Sequence, residues 1–255
     1  MKKPFIILVI LQWMLPPTYG MLSPAYAEDA SNSSLCKSTD IVIAIDDTYS
    51  MHGAIWDIKR ESLRLLDLVE ERSGGDFRLG LVSFKDFVTV HEDLNAKPDP
   101  ETKKEHMIDA IKDLFAWGGG SGPEASDEAL NTILHALPAE GRNQNIDFNG
   151  EFISRTRIII LVTDNLPGGF DDTFYEGLDD LNAFTRAKEA KAKDVRISSI
   201  FIPTNHFAVD PKMVHIMREY ANITNGLFAM SSETGKGTAD AIATIINTCG
   251  IRPLV

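Results

Sequence analysis

The sequence is short of cysteine, of positive charge and of long apolar runs, and each shortage narrows what the chain can be. Two cysteines, Cys36 and Cys249, allow at most one disulfide. There are 25 basic residues against 37 acidic ones, a formal charge of −12. That balance argues against nucleic-acid or anionic-membrane partners, which need a basic face, and suits cation binding. The longest apolar stretch, Phe5 to Leu15 broken only by Gln12, is shorter than the ~20 residues that span a bilayer. No internal repeat or low-complexity tract is present, and the histidines at 52, 91, 106, 135, 206 and 215 never fall into a His-Glu-x-x-His spacing, so they read as scattered surface or core residues.

The amino terminus is an address. Met1-Lys2-Lys3, the apolar stretch and Ala25-Tyr26-Ala27 form the charged, hydrophobic and small-x-small regions of a secretory signal peptide of bacterial appearance, residues 1–27. Cleavage after Ala27 would remove two lysines and no acid, taking the charge from −12 to −14. Residues 28–35 are small, polar and acidic and read as a flexible leader, leaving 36–255 as one domain. In an exported chain, two cysteines bracketing a domain predict a Cys36–Cys249 disulfide. The expected location is periplasm, cell surface or medium, with no membrane insertion after cleavage.

The rest alternates strands with helices. Ile41-Val42-Ile43-Ala44-Ile45 and Ile158-Ile159-Ile160-Leu161-Val162 are apolar throughout, the pattern of strands buried on both faces. Phe77 to Phe84 reads as another strand, with Val88 to Leu94 close enough to pair antiparallel at a sheet edge. Shorter strands are predicted from Val195 to Ile202 and from Leu227 to Met230. Helical spacing marks Ile55, Ile58, Leu65, Leu66 and Val69, then Met107, Ile108, Ile111, Leu114 and Phe115 on one side of a second helix, then Glu124 to Leu137. Further helices follow at Leu178 to Lys193, Pro211 to Ala221 and Thr238 to Thr248, and Pro138 to Ser154 reads as a long surface loop. The pattern predicts an α/β fold with helices on both faces of a mostly parallel sheet of about six strands and one antiparallel edge strand.

Chemistry is expected where two buried strands emerge. The first runs into Asp46-Asp47-Thr48-Tyr49-Ser50, so Asp46, Thr48 and Ser50 offer oxygen donors at alternate positions; Asp47 reads as solvated. The glycine-rich stretch Gly118-Gly119-Gly120-Ser121-Gly122 brings Ser121, and the second buried strand delivers Asp164. Oxygen-only ligation suits Mg²⁺, Mn²⁺ or Ca²⁺ rather than zinc or copper. With only two protein carboxylates the cation keeps open positions, which a partner's carboxylate can fill. Nothing forms a P-loop, a dinucleotide fingerprint or a nucleophile elbow.

Asp46-Asp47-Thr48-Tyr49-Ser50-Met51, Gly118 to Glu124 and Val162-Thr163-Asp164-Asn165 together resemble the metal-ion-dependent adhesion site, the MIDAS, of von Willebrand factor type A (vWA) domains. The resemblance spans Cys36 to Cys249 and implies a Rossmann-like fold with a central sheet flanked by helices. It implies Asp46, Thr48 and Ser50 as the Asp-x-Ser-x-Ser element, with Thr48 in place of a serine, and Asp164 as the last ligand. Ser121 is the expected middle ligand and Glu124 the alternative. The implied function is a non-enzymatic, secreted cell-adhesion module that holds an acidic side chain of a protein partner through its metal. The alternatives are a structural subunit of a surface assembly or, in another class, a Mg²⁺-dependent phosphoryl-transfer enzyme. The family also switches affinity by moving its last helix, a displacement that the expected bridge to Cys249 would restrain.

Overall fold

In a computed structural model, residues 36–95, 99–120, 122–171, 173–204 and 210–251 are described. The predicted signal peptide, the leader and Ser121 lie outside the described residues.

Six strands form one sheet in the order β3-β2-β1-β4-β5-β6. They are β1 (Thr39–Asp46), β2 (Phe77–Phe84), β3 (Val88–Glu92), β4 (Thr156–Thr163), β5 (Arg196–Phe201) and β6 (Phe228–Met230). All neighbours pair in parallel except β2 and β3, the antiparallel edge expected from the sequence. β1 is central, and because side chains alternate across a strand its two faces feed two cores. Ile41, Ile43 and Ile45 pack with Ile158, Ile160 and Val162 of β4 on one side. Val42 and Ala44 pack with Ile159 and Leu161 on the other. This two-sided burial is why neither strand shows a polar alternate.

The first core is covered by α1 (His52–Ser73), α2 (Pro100–Asp113) and α6 (Thr238–Asn247), the second by α3 (Ser126–His135), α4 (Asp179–Ala192) and α5 (Pro211–Thr224). Pro100 opens α2, where its missing N–H is no loss, and Asp99 caps the helix by accepting from the Thr102 amide at 2.9 Å. The expectation that Phe115 shares the inner face of this helix fails. The helix stops at Asp113 and Leu114 is extended (ψ 133°), so Leu114 stays buried while Phe115 is 69% exposed.

α6 is held at both ends. Its N-cap position is Gly237, which offers no side chain, and Asp57 of α1 substitutes by accepting from the amides of Gly237 (3.1 Å) and Ala239 (3.0 Å). Just beyond its carboxyl end, Cys249 is joined by a disulfide to Cys36, three residues before β1, with Cα atoms 5.3 Å apart. The segment 138–154 follows the surface as expected, yet it is pinned. Asn145 bonds the backbone of Val90 through its side-chain amide, and Phe148 is fully buried, so this segment covers the open edge of β3.

Candidate metal site

The site is built where β1 and β4 release their chains side by side. Asp46, the last residue of β1, is completely buried, Thr48 is buried and Ser50 is exposed. Asp46 Oδ1 accepts from the Thr48 amide (2.9 Å) and from Thr48 Oγ1 (2.7 Å), an Asx-type turn that folds the emerging loop back over the carboxylate. Ser50 Oγ lies 3.0 Å from Thr48 Oγ1, so the expected alternate-position donors do converge. Asp46 Oδ2 accepts from Thr163 Oγ1 of β4 at 2.8 Å. These three bonds occupy three of the roughly four acceptor sites of a carboxylate.

Asp164 follows Thr163 directly and is near enough to act on Asp46 electrostatically. Burial first, and the Asp164 charge second, push the Asp46 carboxyl up to about 8. Asp164 itself accepts a hydrogen bond from Thr204 Oγ1, in the segment after β5; nothing in the sequence pattern marked Thr204.

The glycine-rich loop is docked onto this centre through its backbone. The Trp117 amide donates to the Asp47 carbonyl (3.0 Å), and the Tyr49 amide to the Gly118 carbonyl (3.1 Å). Gly119 has φ +73°, and a Cβ there would sit 2.4 Å from Thr48 Cγ2 and 3.5 Å from Glu124 Oε1. Only glycine permits this approach, and the shared point brings Glu124 Oε1 close to Thr48. Glu124 is 2% exposed, and its backbone pairs with the loop after β4: its amide donates to Leu166 and its carbonyl accepts from Gly168. Asn165 Nδ2 also donates to the Gly122 carbonyl.

The reading of Asp47 as solvated is corrected. Asp47 is buried in a network, accepting from Lys85 Nζ (3.1 Å) and Ser83 Oγ (2.9 Å), with His91 Nε2 2.8 Å from that same hydroxyl. Lys85 also donates to the Trp117 carbonyl at 3.2 Å, tying β2 to the glycine-rich loop. Solvation was the expectation because Lys85 lies 38 residues away and reaches Asp47 only through the β1–β2 pairing.

The donor set fits a hard divalent cation, being made of oxygen alone. Asp46, Thr48 and Ser50 form its core, with Asp164 beside them, and Glu124 is carried to its edge; Ser121 lies outside the described residues. Among the described residues no group of three or more His, Cys, Asp or Glu side chains is placed to hold a metal.

A mostly parallel sheet with helices on both faces and oxygen donors gathered at its carboxyl edge defines a Rossmann-like α/β domain. The profile of the von Willebrand factor type A domain matches residues 40–243, and the chain belongs to that family. Solved structures agree on the fold. The chain is similar to the vWF domain of the type V pili tip protein Mfa5 from Porphyromonas gingivalis, at 13% identity and TM-score 0.54, covering 86% of this chain and 98% of that one. It is similar to a von Willebrand factor type A protein from Catenulispora acidiphila, at 14% identity and TM-score 0.57, covering 84% and 43%. It is also similar to the pilus adhesin SpaC from Lactobacillus rhamnosus GG, at 16% identity and TM-score 0.51, covering 83% and 29%. The chain therefore spans less than half the length of the last two. No curated protein sequence matches it. Among the described residues no helix is long and apolar enough to cross a membrane.

Proposed function

We propose that this vWA domain is a secreted, metal-dependent binding module of the adhesion type. Mg²⁺, or Mn²⁺ or Ca²⁺ in its place, is held by Asp46, Thr48, Ser50 and Asp164, with Ser121 as middle ligand and Glu124 as the alternative. Bound there, the ion supplies an open coordination position that accepts a carboxylate from a protein partner. The observation that carries the reading is the cluster of Asp46, Thr48 and Ser50 around one buried carboxylate with Asp164 next to it. Thr48 spends its proton on Asp46, which leaves its oxygen lone pairs for a cation. Thr163 and Thr204 orient the two carboxylates, and Gly119 lets the third loop close over Thr48.

Isothermal titration with Mg²⁺, Mn²⁺ and Ca²⁺ tests the first step: the chain should bind at least one of them and Asp46→Ala none. Identical heats from both proteins would reject a metal site here. The relatives named from pilus tips and adhesins also support a second reading, a structural subunit of a surface assembly. Capture of partners from native secretions distinguishes the two, because an adhesin loses its partner in chelator and a scaffold does not. An enzyme is not proposed, and turnover of an aryl phosphate that disappears in Asp46→Ala would overturn that position.

A further inference from the structure

Beside the cation site, the amino-terminal half of α1 carries a groove that the metal chemistry does not use. It consists of two depressions, of about 340 and 190 Å³, that share His52 and Trp56 as a common wall. The first is completed by Gly53, Asp57, Arg60, Thr234 and Lys236, the second by Ile55, Lys59, Leu114, Phe115 and Ala116. Trp56 is 55% exposed, yet its ring is fixed: the Arg60 guanidinium lies 4.7 Å from the ring centroid and is itself held by Asp57 (2.9 Å) and Glu61 (3.0 Å). The floor is rigid too. A Cβ on Gly53 would meet the Thr234 carbonyl oxygen at 2.0 Å, so helix and loop touch backbone to backbone. Such a surface loses little conformational freedom on binding.

We propose that this groove receives an extended, acidic segment of the partner protein, whose first carboxylate reaches the metal while a second pairs with Lys236 as the intervening chain crosses Trp56. The inference rests on the metal-dependent reading above. Charge complementarity selects the occupant. In a chain of net charge −12 the lining holds Lys59, Arg60 and Lys236; Arg60 is paired with Asp57 and Glu61, and Asp57, the one carboxylate of the lining, also accepts from the α6 amides, which leaves Lys59 and Lys236 as the cations that face a partner. The spacing suits an extended strand. Six positions separate Ser50 from Trp56, about 9 Å at helical rise, which an extended peptide covers in about three residues. Trp and Arg are the residue types that carry most binding energy at protein interfaces. A saccharide fits less well, because the lining holds no Asn or Gln and no unengaged carboxylate to read hydroxyl groups.

Selection of a random linear peptide library on the purified chain in Mg²⁺ tests this. Enriched peptides should carry two acidic positions separated by at least about three residues, the span from Ser50 to Trp56 alone. Fluorescence anisotropy of such a peptide should show affinity falling by about tenfold or more in Trp56→Ala and in Lys236→Glu, and being kept in Lys236→Arg. Both positions are exposed, so unchanged thermal melting will certify the variants as folded. If enriched peptides need Mg²⁺ but ignore both substitutions, the groove proposal fails and the metal reading survives. If they need Trp56 and Lys236 without Mg²⁺, the groove stands and the metal reading fails. No enrichment, or binding of an oligogalacturonate in place of acidic peptides, overturns the proposal.

Discussion

At the scale of single residues, Asp46 decides what the site can do, and it does so through its proton. Its carboxyl is pushed up to about 8 by burial and then by Asp164, while an unfolded aspartate titrates near 3.8. A carboxyl with a raised folded value contributes stability that is complete below about 3.8 and is lost as the pH rises through about 8. A divalent cation needs the ionised form, so its effect runs the other way. The melting temperature of the metal-free chain should therefore fall between pH 6 and pH 9, while the increase produced by Mg²⁺ should grow over the same interval. Calorimetry with and without the ion checks both slopes, and a Mg²⁺ effect independent of pH would mean that the ion sits elsewhere. Asp40, at the opposite end of β1, is the contrasting case. Burial would raise its carboxyl, but the two-point contact with Arg78 and the Ser154 and Ile153 donors outweigh burial and hold it below the ordinary value. Its contribution persists above about 3.8 and fades only in stronger acid.

At the scale of elements, legibility followed the range of the interactions. β1 and β4 could be read directly, because burial on both faces leaves a run of Ile, Val and Leu with no polar alternate. Asp46, Thr48 and Ser50 could be read as a set because the turn that gathers them is local, bonding position i to i+2. The partners of Asp47 and Asp164 could not, since Lys85 and Thr204 arrive through strand pairing and carry no local signal. Phe115 was misplaced because helical periodicity does not say where a helix stops. The same distinction applies to α6, whose amino end depends on a residue 180 positions away, Asp57. Replacing Asp57 by Ala leaves the buried Ala239 amide and the part-buried Gly237 amide without their acceptor and removes one of the two acidic partners of Arg60, and should cost about 1–3 kcal/mol. Urea unfolding measures that loss, and amide exchange should rise first at Gly237 and Ala239. An unchanged midpoint would show that α6 does not rely on this clamp.

At the scale of the whole molecule, the disulfide is the longest-range constraint, joining positions 213 residues apart. Closing so large a loop removes unfolded-chain entropy worth up to about 5 kcal/mol, with strain and residual unfolded structure reducing the figure. A Cys36→Ser, Cys249→Ser double variant should still fold, since both cores are assembled by strands and helices that do not include the bridge, but it should unfold at lower denaturant. Equal midpoints for the two proteins would contradict a stabilising role. With Asp57 at one end of α6 and the bridge at the other, the large helix displacement that the vWA family uses to change affinity is opposed from both sides.

The bridge also has a mechanical meaning. A load applied across residues 36 and 249 passes through one covalent bond between points 5.3 Å apart, and the six-stranded sheet between them carries none of it. Under tension the oxidised domain behaves as a short inextensible link, with the carboxyl edge of its sheet undeformed, whereas the reduced domain would pay out on the order of 700 Å of chain, 213 residues at full extension. For a load borne between those two positions, the oxidised form keeps the carboxyl edge of the sheet undisturbed and the reduced form does not.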